Sequence, residues 1–239
     1  MTHKKANIAN TLYYMLSRPS LIINALIKLI AGLGIILLLL LLPAGTWCYW
    51  QAWLFIGLLF IPMTIVGIWL LWRNPELLAK RLNNKEKRSQ QKNIVALSGL
   101  MFIFGFVLCG LDTRFGWSSI PLWLIICASV VFLVGYAMYV EVMRENAYLS
   151  RTIELQEGQQ LIDTGLYAIV RHPMYSATLL MYLAMPLVLG SAWALLVFAF
   201  YPAIIIQRIY NEEQMLATGL PGYAEYQQRV RYRLIPWVW

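Results

Sequence analysis

The stretch that decides the fold is residues 158–213, which read GQQLIDTGLYAIVRHPMYSATLLMYLAMPLVLGSAWALLVFAFYPAIIIQRIYNEE. Polar side chains stand at both ends of this stretch: Arg171, His172 and Tyr175 in the first half, and Arg208, Glu212 and Glu213 at the close. Residues 173–207 between them carry no charge. As one helix they would be roughly 50 Å long, against ~30 Å for the core of a bilayer. We therefore expect the chain to reverse near Gly190 and to bring both polar ends to one membrane boundary.

The composition indicates a membrane protein. The chain of 239 residues is 60% hydrophobic and 13% charged, about half the charged fraction of a soluble domain. The net charge of +8 does not indicate nucleic-acid binding, because the basic residues lie between apolar runs, where they favour contact with anionic lipid. The three cysteines form no C-x-x-C pair and are predicted to be small buried residues, neither metal ligands nor a disulfide.

The apolar runs predict an all-α polytopic fold, a single membrane domain over residues 1–239 with about six transmembrane helices. The last two form a tight hairpin, and the predicted spans are 21–42, 50–72, 94–111, 120–140, 174–189 and 191–207. Trp50 and Trp72 flank the second span as interfacial anchors. Residues 222–239 are too polar to span and are predicted to lie over the cytoplasmic face as a lid.

The loop charges predict the orientation. Loop 73–92 holds seven basic and two acidic residues, a net charge of +5, and the N-terminal segment adds +3. These segments fall on one side with both termini, while the nearly uncharged connections fall on the other. By the positive-inside rule the chain is N-in and C-in, and the polar clusters are cytoplasmic. We interpret loop 73–92 as setting topology, with a substrate-docking patch as the alternative.

The polar ends of the hairpin are a candidate active site. Pro173 suits a first helical position, and the amide groups from Met174 onward, lacking intrahelical partners, would favour an anionic group. Glu212 suits a cation such as an amine or a sulfonium, and Arg208, four residues earlier on the same helix face, suits an anion. The alternative is that these side chains only anchor helix ends in the interface.

Four motifs in this order resemble the isoprenylcysteine carboxyl methyltransferase and phospholipid methyltransferase superfamily. They are TGLYAIVRHPMY, then Arg208-x-x-x-Glu212-Glu213, then Tyr223-x-x-Tyr226, then the closing RLIP. The resemblance covers residues 159–236. It implies an integral membrane enzyme that uses S-adenosyl-L-methionine in a pocket made by membrane helices and cytoplasmic segments (158–175 and 208–236). The sequence has no predicted strand followed by a glycine-rich dinucleotide-binding fingerprint, which is consistent with such a pocket.

The resemblance implies a role for each matching residue. Arg208 would face the substrate, and the cofactor would be bound by Gln159, Gln160, Leu161, Ile162, Tyr167, His172, Pro173, Met174, Tyr175 and Glu212. The sequence departs at Ala177, where many relatives have Gly. The implied mechanism is direct in-line displacement at the sulfonium methyl, without a covalent enzyme intermediate or a metal, in which positioning and a dry pocket supply most of the acceleration.

Two other functions stay open from the sequence. Membrane sterol reductases end in a similar tyrosine-rich helix and RLIP-like tail and bind NADPH. A non-catalytic transport subunit would show polar residues at mid-membrane, and Lys28 is the one charge inside a predicted span. The methyl acceptor is lipophilic or small, with prenylcysteine, lipid amine, small thiol and isoprenoid acid all open. Membrane lipids are expected partners, and no nucleic acid or obligate protein partner is inferred.

Overall fold

The computed structural model describes residues 2–82, 89–149 and 158–239, with the backbone alone at residues 2–17 and 89–92. Within those residues every regular element is a helix. The helices are α1 Thr2–Ala44, α2 Trp50–Arg73, α3 Pro75–Leu82, α4 Ser89–Phe115, α5 Leu122–Glu145, α6 Pro173–Val188, α7 Ala192–Phe198, α8 Tyr201–Gly219 and α9 Tyr223–Arg229, with a 3₁₀ turn at Gly165–Ala168. The predicted all-α polytopic fold is confirmed.

Five stretches of the described chain are long and apolar enough to cross a membrane, namely Arg18–Ala44, Trp50–Arg73, Asn93–Phe115, Leu122–Glu145 and Ala192–Gly219. Helix α6, Pro173–Val188, is apolar but shorter, with 16 residues. Their outer faces carry many exposed leucine, isoleucine, valine and tryptophan side chains, as expected where the solvent is lipid. The chain is an integral membrane protein.

The hairpin bends where the sequence places the bend. Helix α6 ends at Val188, and Gly190 adopts φ +77°, a left-handed conformation that a glycine accepts without strain. The Ser191 side chain then accepts a hydrogen bond from the amide of Ala194 and caps α7. A second break separates α7 from α8, which has Pro202 in its first turn. The helix then continues past the predicted end at 207 to Gly219.

Small residues and aromatic rings hold the bundle together. A methyl group at Gly135 of α5 would lie 2.9 Å from the carbonyl oxygen of Ala177 on α6, so only glycine permits this close approach. Phe102 and Phe198 make an edge-to-face contact with ring centroids 5.5 Å apart, which joins α4 to α7. Phe55 and Phe132 similarly join α2 to α5 at 5.8 Å.

The opposite ends of the bundle have different chemistry. Near the hairpin bend, the buried Asp112 accepts hydrogen bonds from the amide and hydroxyl of Ser118 (2.7 and 2.6 Å) and from the hydroxyl of Ser191 (2.5 Å). The predicted spans 94–111 and 120–140 leave Asp112 in the turn between them. It lies instead on α4, which runs on to Phe115, and it joins the α4–α5 connection to the start of α7.

At the other end of the bundle, the basic helix α3 packs against α5 and the start of α6. Leu77 and Leu78 are buried in an apolar cluster with Val142 of α5, to which Met174 also contributes. The Arg81 guanidinium approaches the Met174 sulfur at 3.9 Å, and the Lys28 ammonium donates to the Leu82 carbonyl at the end of α3. Part of the predicted loop 73–92 is therefore packed helix. Its residues 83–88 lie outside the described part of the chain.

Candidate active site

A cleft of about 840 Å³, its open mouth included, lies at the end of the bundle where α6 begins. Helices α6 and α8 form two sides, α9 forms a third, and the segments after α5 and around residues 159–167 close the fourth. Its lining residues are Asn146, Tyr148, Leu149, Gln159, Gln160, Leu161, Ile162, Tyr167, Arg171, His172, Pro173, Met174, Tyr175, Arg208, Glu212, Met215, Leu216, Leu220, Tyr223 and Tyr226.

The Tyr175 hydroxyl connects the two charged residues of α8 across this cleft. It donates to Glu212 Oε2 at 2.5 Å and accepts from Arg208 Nε at 2.9 Å. The Arg208 guanidinium also lies 5.9 Å from the centre of the Tyr175 ring. Since a tyrosine hydroxyl both donates and accepts, it fixes a carboxylate and a guanidinium side by side at the cleft wall.

Glu213 is the centre of a buried ion cluster. Its Oε1 accepts from Arg171 Nε at 2.7 Å and lies 3.2 Å from His172 Nε2, and its Oε2 accepts from Arg233 Nε at 2.9 Å. The Glu213 side chain is 7% exposed. A carboxylate only accepts hydrogen bonds, so we assign the His172 proton to Nε2. Two arginines around one carboxylate make this a paired, structural charge.

The chain's C-terminal segment is fastened to the start of α6. The amides of Arg171 and His172 donate to the carbonyls of Tyr232 and Arg233, each at 2.9 Å, and the Ser176 hydroxyl donates to the Leu234 carbonyl at 2.6 Å. Arg171 Nη1 also donates to the Val230 carbonyl at 2.8 Å. The predicted lid is thus, in its first part, a wall of the cleft.

The segment 158–167 is held from both sides. Tyr148 donates to the Gly158 carbonyl at 3.1 Å, and Asn146 donates to the Tyr167 hydroxyl at 2.8 Å. From α9, the Tyr226 hydroxyl donates to the Tyr167 carbonyl at 2.7 Å. Burial raises the pKa of Tyr167, Tyr223 and Tyr226 above the usual tyrosine range, so these phenols stay neutral at physiological pH.

The start of α6 follows the sequence in part. His172 is the N-cap and Pro173 takes the first helical position, as expected. The amides of Tyr175 and Ser176 both donate to the His172 carbonyl, at 3.0 and 3.1 Å. The expectation that the amides from Met174 onward lack intrahelical partners is therefore wrong for Tyr175 and Ser176. Among the described residues of this turn, the amide of Met174 alone lacks a backbone acceptor.

Each residue that the sequence proposed for the site lines this one cleft, although which of them contact a ligand stays a prediction. The sequence did not reveal that His172 pairs with Glu213 rather than with Glu212. It also missed Asn146, Tyr148, Leu149, Met215, Leu216 and Leu220. A signal existed for two of these, Met215 and Leu216, because they follow Glu212 at the i, i+3 and i, i+4 spacings of one helix face. In the described part of the chain, no group of three His, Cys, Asp or Glu residues is arranged to hold a metal ion.

The family model described as "Isoprenylcysteine carboxyl methyltransferase (ICMT) family" matches residues 124–218. That range holds α6, α8 and most of the cleft. Residues 124–218, less than half of the chain, are thus similar to this methyltransferase family.

A solved structure supports the polytopic helical fold. The eukaryotic intramembrane Ras methyltransferase ICMT has a similar fold, with a TM-score of 0.50 and 19% sequence identity over 97% of this chain and 86% of that chain. At this identity the likeness concerns the fold alone.

A curated relative has another activity. The Delta(14)-sterol reductase TM7SF2 of Mus musculus is 36% identical over 91 residues, which is 37% of this chain. The chain spans 22% of the length of that curated relative.

Proposed function

We propose that this protein transfers a methyl group from S-adenosyl-L-methionine to a lipophilic or small acceptor at the cytoplasmic membrane boundary. The observation that carries the proposal is the Tyr175 hydroxyl, which holds the Glu212 carboxylate and the Arg208 guanidinium at one cleft wall. This wall offers one group for a cation and one for an anion, the charges expected of a sulfonium donor and an acidic acceptor.

The residues present fit such a donor. Five tyrosines line the cleft, namely Tyr148, Tyr167, Tyr175, Tyr223 and Tyr226, and aromatic faces attract onium cations. Glu212 adds a carboxylate whose described hydrogen bond occupies Oε2 alone. The binding residues would be Gln159, Gln160, Leu161, Ile162, Tyr167, His172, Pro173, Met174, Tyr175 and Glu212.

When bound, S-adenosyl-L-methionine supplies an electrophilic methyl group: the acceptor's lone pair forms the new bond to carbon while the electron pair of the carbon–sulfur bond passes to sulfur. The protein's part is positioning. Tyr175 orients Glu212 toward the donor and Arg208 toward the acceptor, and the walls from α8 and α9 exclude water from the reacting groups.

Arg208 is the residue that we assign to the acceptor. Its guanidinium lines the cleft, and on α8 it lies one turn from Ile204, which is buried in the bundle core. This places the charge next to apolar surface, which suits an acceptor with a hydrocarbon part and an acidic head. Prenylcysteine and isoprenoid acids carry both, while lipid amines and small thiols would use Arg208 differently.

The proposal is tested by separating binding from transfer. Wild-type protein in detergent micelles should bind S-adenosylhomocysteine in calorimetry and should transfer tritiated methyl groups to a prenylcysteine or an isoprenoid acid, the acceptors that suit Arg208. Arg208→Gln should bind S-adenosylhomocysteine within about twofold of wild type yet lose transfer by about 10²-fold or more, the scale for a lost positioned charge. The control is Arg231→Gln, since the Arg231 residue is exposed; it should retain both. Full transfer by Arg208→Gln would remove this residue from the mechanism.

A second function has one observation in its favour. The 36% identity to a sterol reductase over 91 residues makes an NADPH-dependent reductase the alternative. The two ligands share a nucleoside, so a cleft of this kind could accept either. Thermal stabilisation by NADPH and none by S-adenosylhomocysteine would reverse the ranking.

A further inference from the structure

Tyr223 lies at the first position of α9, with its side chain buried against the cleft. The residue is 3% exposed and lines the cavity. Its hydroxyl has no hydrogen-bond partner among the residues that the structure describes. A buried hydroxyl without a partner costs free energy, and native proteins rarely leave one unexplained.

The neighbouring tyrosine of the same helix shows the contrast. Tyr226 lies one turn further along α9, with its ring centre 5.7 Å from that of Tyr223, and it also lines the cleft. Its hydroxyl donates to the Tyr167 carbonyl at 2.7 Å. Both tyrosines are buried, but among the described residues only the Tyr226 hydroxyl has a hydrogen-bond partner in the protein.

The groups around Tyr223 indicate what the missing partner is. The carboxylates of Glu213 and Glu212 are its strongest electrostatic neighbours. Glu213 is saturated by Arg171, His172 and Arg233. Glu212 faces the same cleft and, in the described contacts, uses Oε2 alone. A ligand group that donates hydrogen bonds would find an acceptor in Glu212 and a second partner in the Tyr223 hydroxyl.

We propose that the Tyr223 hydroxyl is a ligand-binding group that hydrogen-bonds a hydroxyl or amino group of the bound methyl donor beside Glu212. This inference rests on the proposed function and adds a binding residue to those that the sequence indicated. It also explains why this position carries tyrosine: phenylalanine would fill the same space without a buried, unsatisfied hydroxyl.

The test compares two conservative variants of the full chain in detergent micelles. Tyr223→Phe should weaken S-adenosylhomocysteine binding by about tenfold in calorimetry, the scale of one lost hydrogen bond. It should leave the melting temperature of the ligand-free protein unchanged or raised, because no protein partner loses a bond. Tyr226→Phe is the matched control: it should lower the ligand-free melting temperature, since the Tyr167 carbonyl loses its donor.

Each result decides the inference. Unchanged affinity in Tyr223→Phe, with wild type binding normally, overturns the inference and leaves the proposed function standing. A ligand-free melting temperature that falls as far in Tyr223→Phe as in Tyr226→Phe shows a structural partner and also overturns it. If the wild type binds no S-adenosylhomocysteine, the proposed function fails and this inference fails with it.

Discussion

Glu212 and Glu213 are adjacent in sequence but point into different surroundings. Because successive side chains on a helix diverge by about 100°, Glu212 faces the cleft and the Tyr175 hydroxyl, whereas Glu213 faces Arg171, His172 and Arg233. The Glu212 carboxylate therefore has an oxygen that a ligand can bind. Both oxygens of Glu213 already contact side chains that join α6, α8 and the C-terminal segment. The two residues should therefore respond differently to the same substitution.

Glutamine at each position separates these roles. Glu213→Gln leaves two arginines around a neutral amide in a buried site, so we expect a loss of about 3 kcal/mol in stability. Glu212→Gln keeps the Tyr175 contact and should leave the melting temperature nearly unchanged while weakening S-adenosylhomocysteine binding by about tenfold or more. Fluorescence-monitored thermal unfolding and calorimetry measure the two effects. Equal melting temperatures for both variants would contradict the division of roles.

At the scale of elements, the hairpin α6–α7–α8 is held at its bend, the end away from the cleft, by a hydrogen-bond cluster around Asp112. Asp112 of α4 accepts three hydrogen bonds, two from Ser118 and one from Ser191. The same Ser191 hydroxyl caps α7, and the Ser118 hydroxyl accepts from the amide of Ala192. Helix α6 separates this hydrogen-bond cluster from the cleft by about 24 Å, from its 16 residues.

We expect Asp112→Ala to lower stability by about 2–3 kcal/mol, because it leaves the buried Ser191 hydroxyl and the half-buried Ser118 donors without their acceptor. Its distance from the cleft predicts an unchanged affinity for S-adenosylhomocysteine in the fraction that stays folded. Glu141→Ala is the control, since the Glu141–Arg144 pair at the end of α5 is largely exposed and such pairs contribute little. Thermal unfolding checks both variants. A stable Asp112→Ala protein would show that the bend at Gly190 does not need this hydrogen-bond cluster.

At the scale of the whole molecule, the sequence was sufficient for features that depend on long, uniform signals. Apolar runs predicted the helices, and the uncharged length of 173–207 with Gly190 predicted a bend that brings Tyr175 to Arg208. Features that depend on single contacts were not predictable. The sequence does not indicate that the amides of Arg171 and His172 donate hydrogen bonds to the carbonyls of Tyr232 and Arg233. These hydrogen bonds join backbone groups, so they do not depend on which side chains are present.

The orientation in the membrane is the remaining prediction, and it follows from where the charge lies. The basic helix α3 packs at the cleft end of the bundle with Val142 and Met174, while the α1–α2 connection around Cys48 carries no charge. The positive-inside rule then predicts that the cleft end is cytoplasmic. Because both ends of the bundle offer an accessible position, the prediction can be checked with thiol labels.

The prediction that all three cysteines are buried is wrong for Cys48, which is exposed in that connection, and for Cys127, which is also exposed. Ala224 is exposed on α9 at the cleft end. In intact cells, a membrane-impermeant maleimide should label Cys48 in a background where Cys109 and Cys127 are replaced by alanine. A variant that combines Ala224→Cys with the loss of all three native cysteines should be labelled only after permeabilisation. The opposite pattern would place the cleft outside, away from the cytoplasmic supply of S-adenosyl-L-methionine on which the proposed reaction depends.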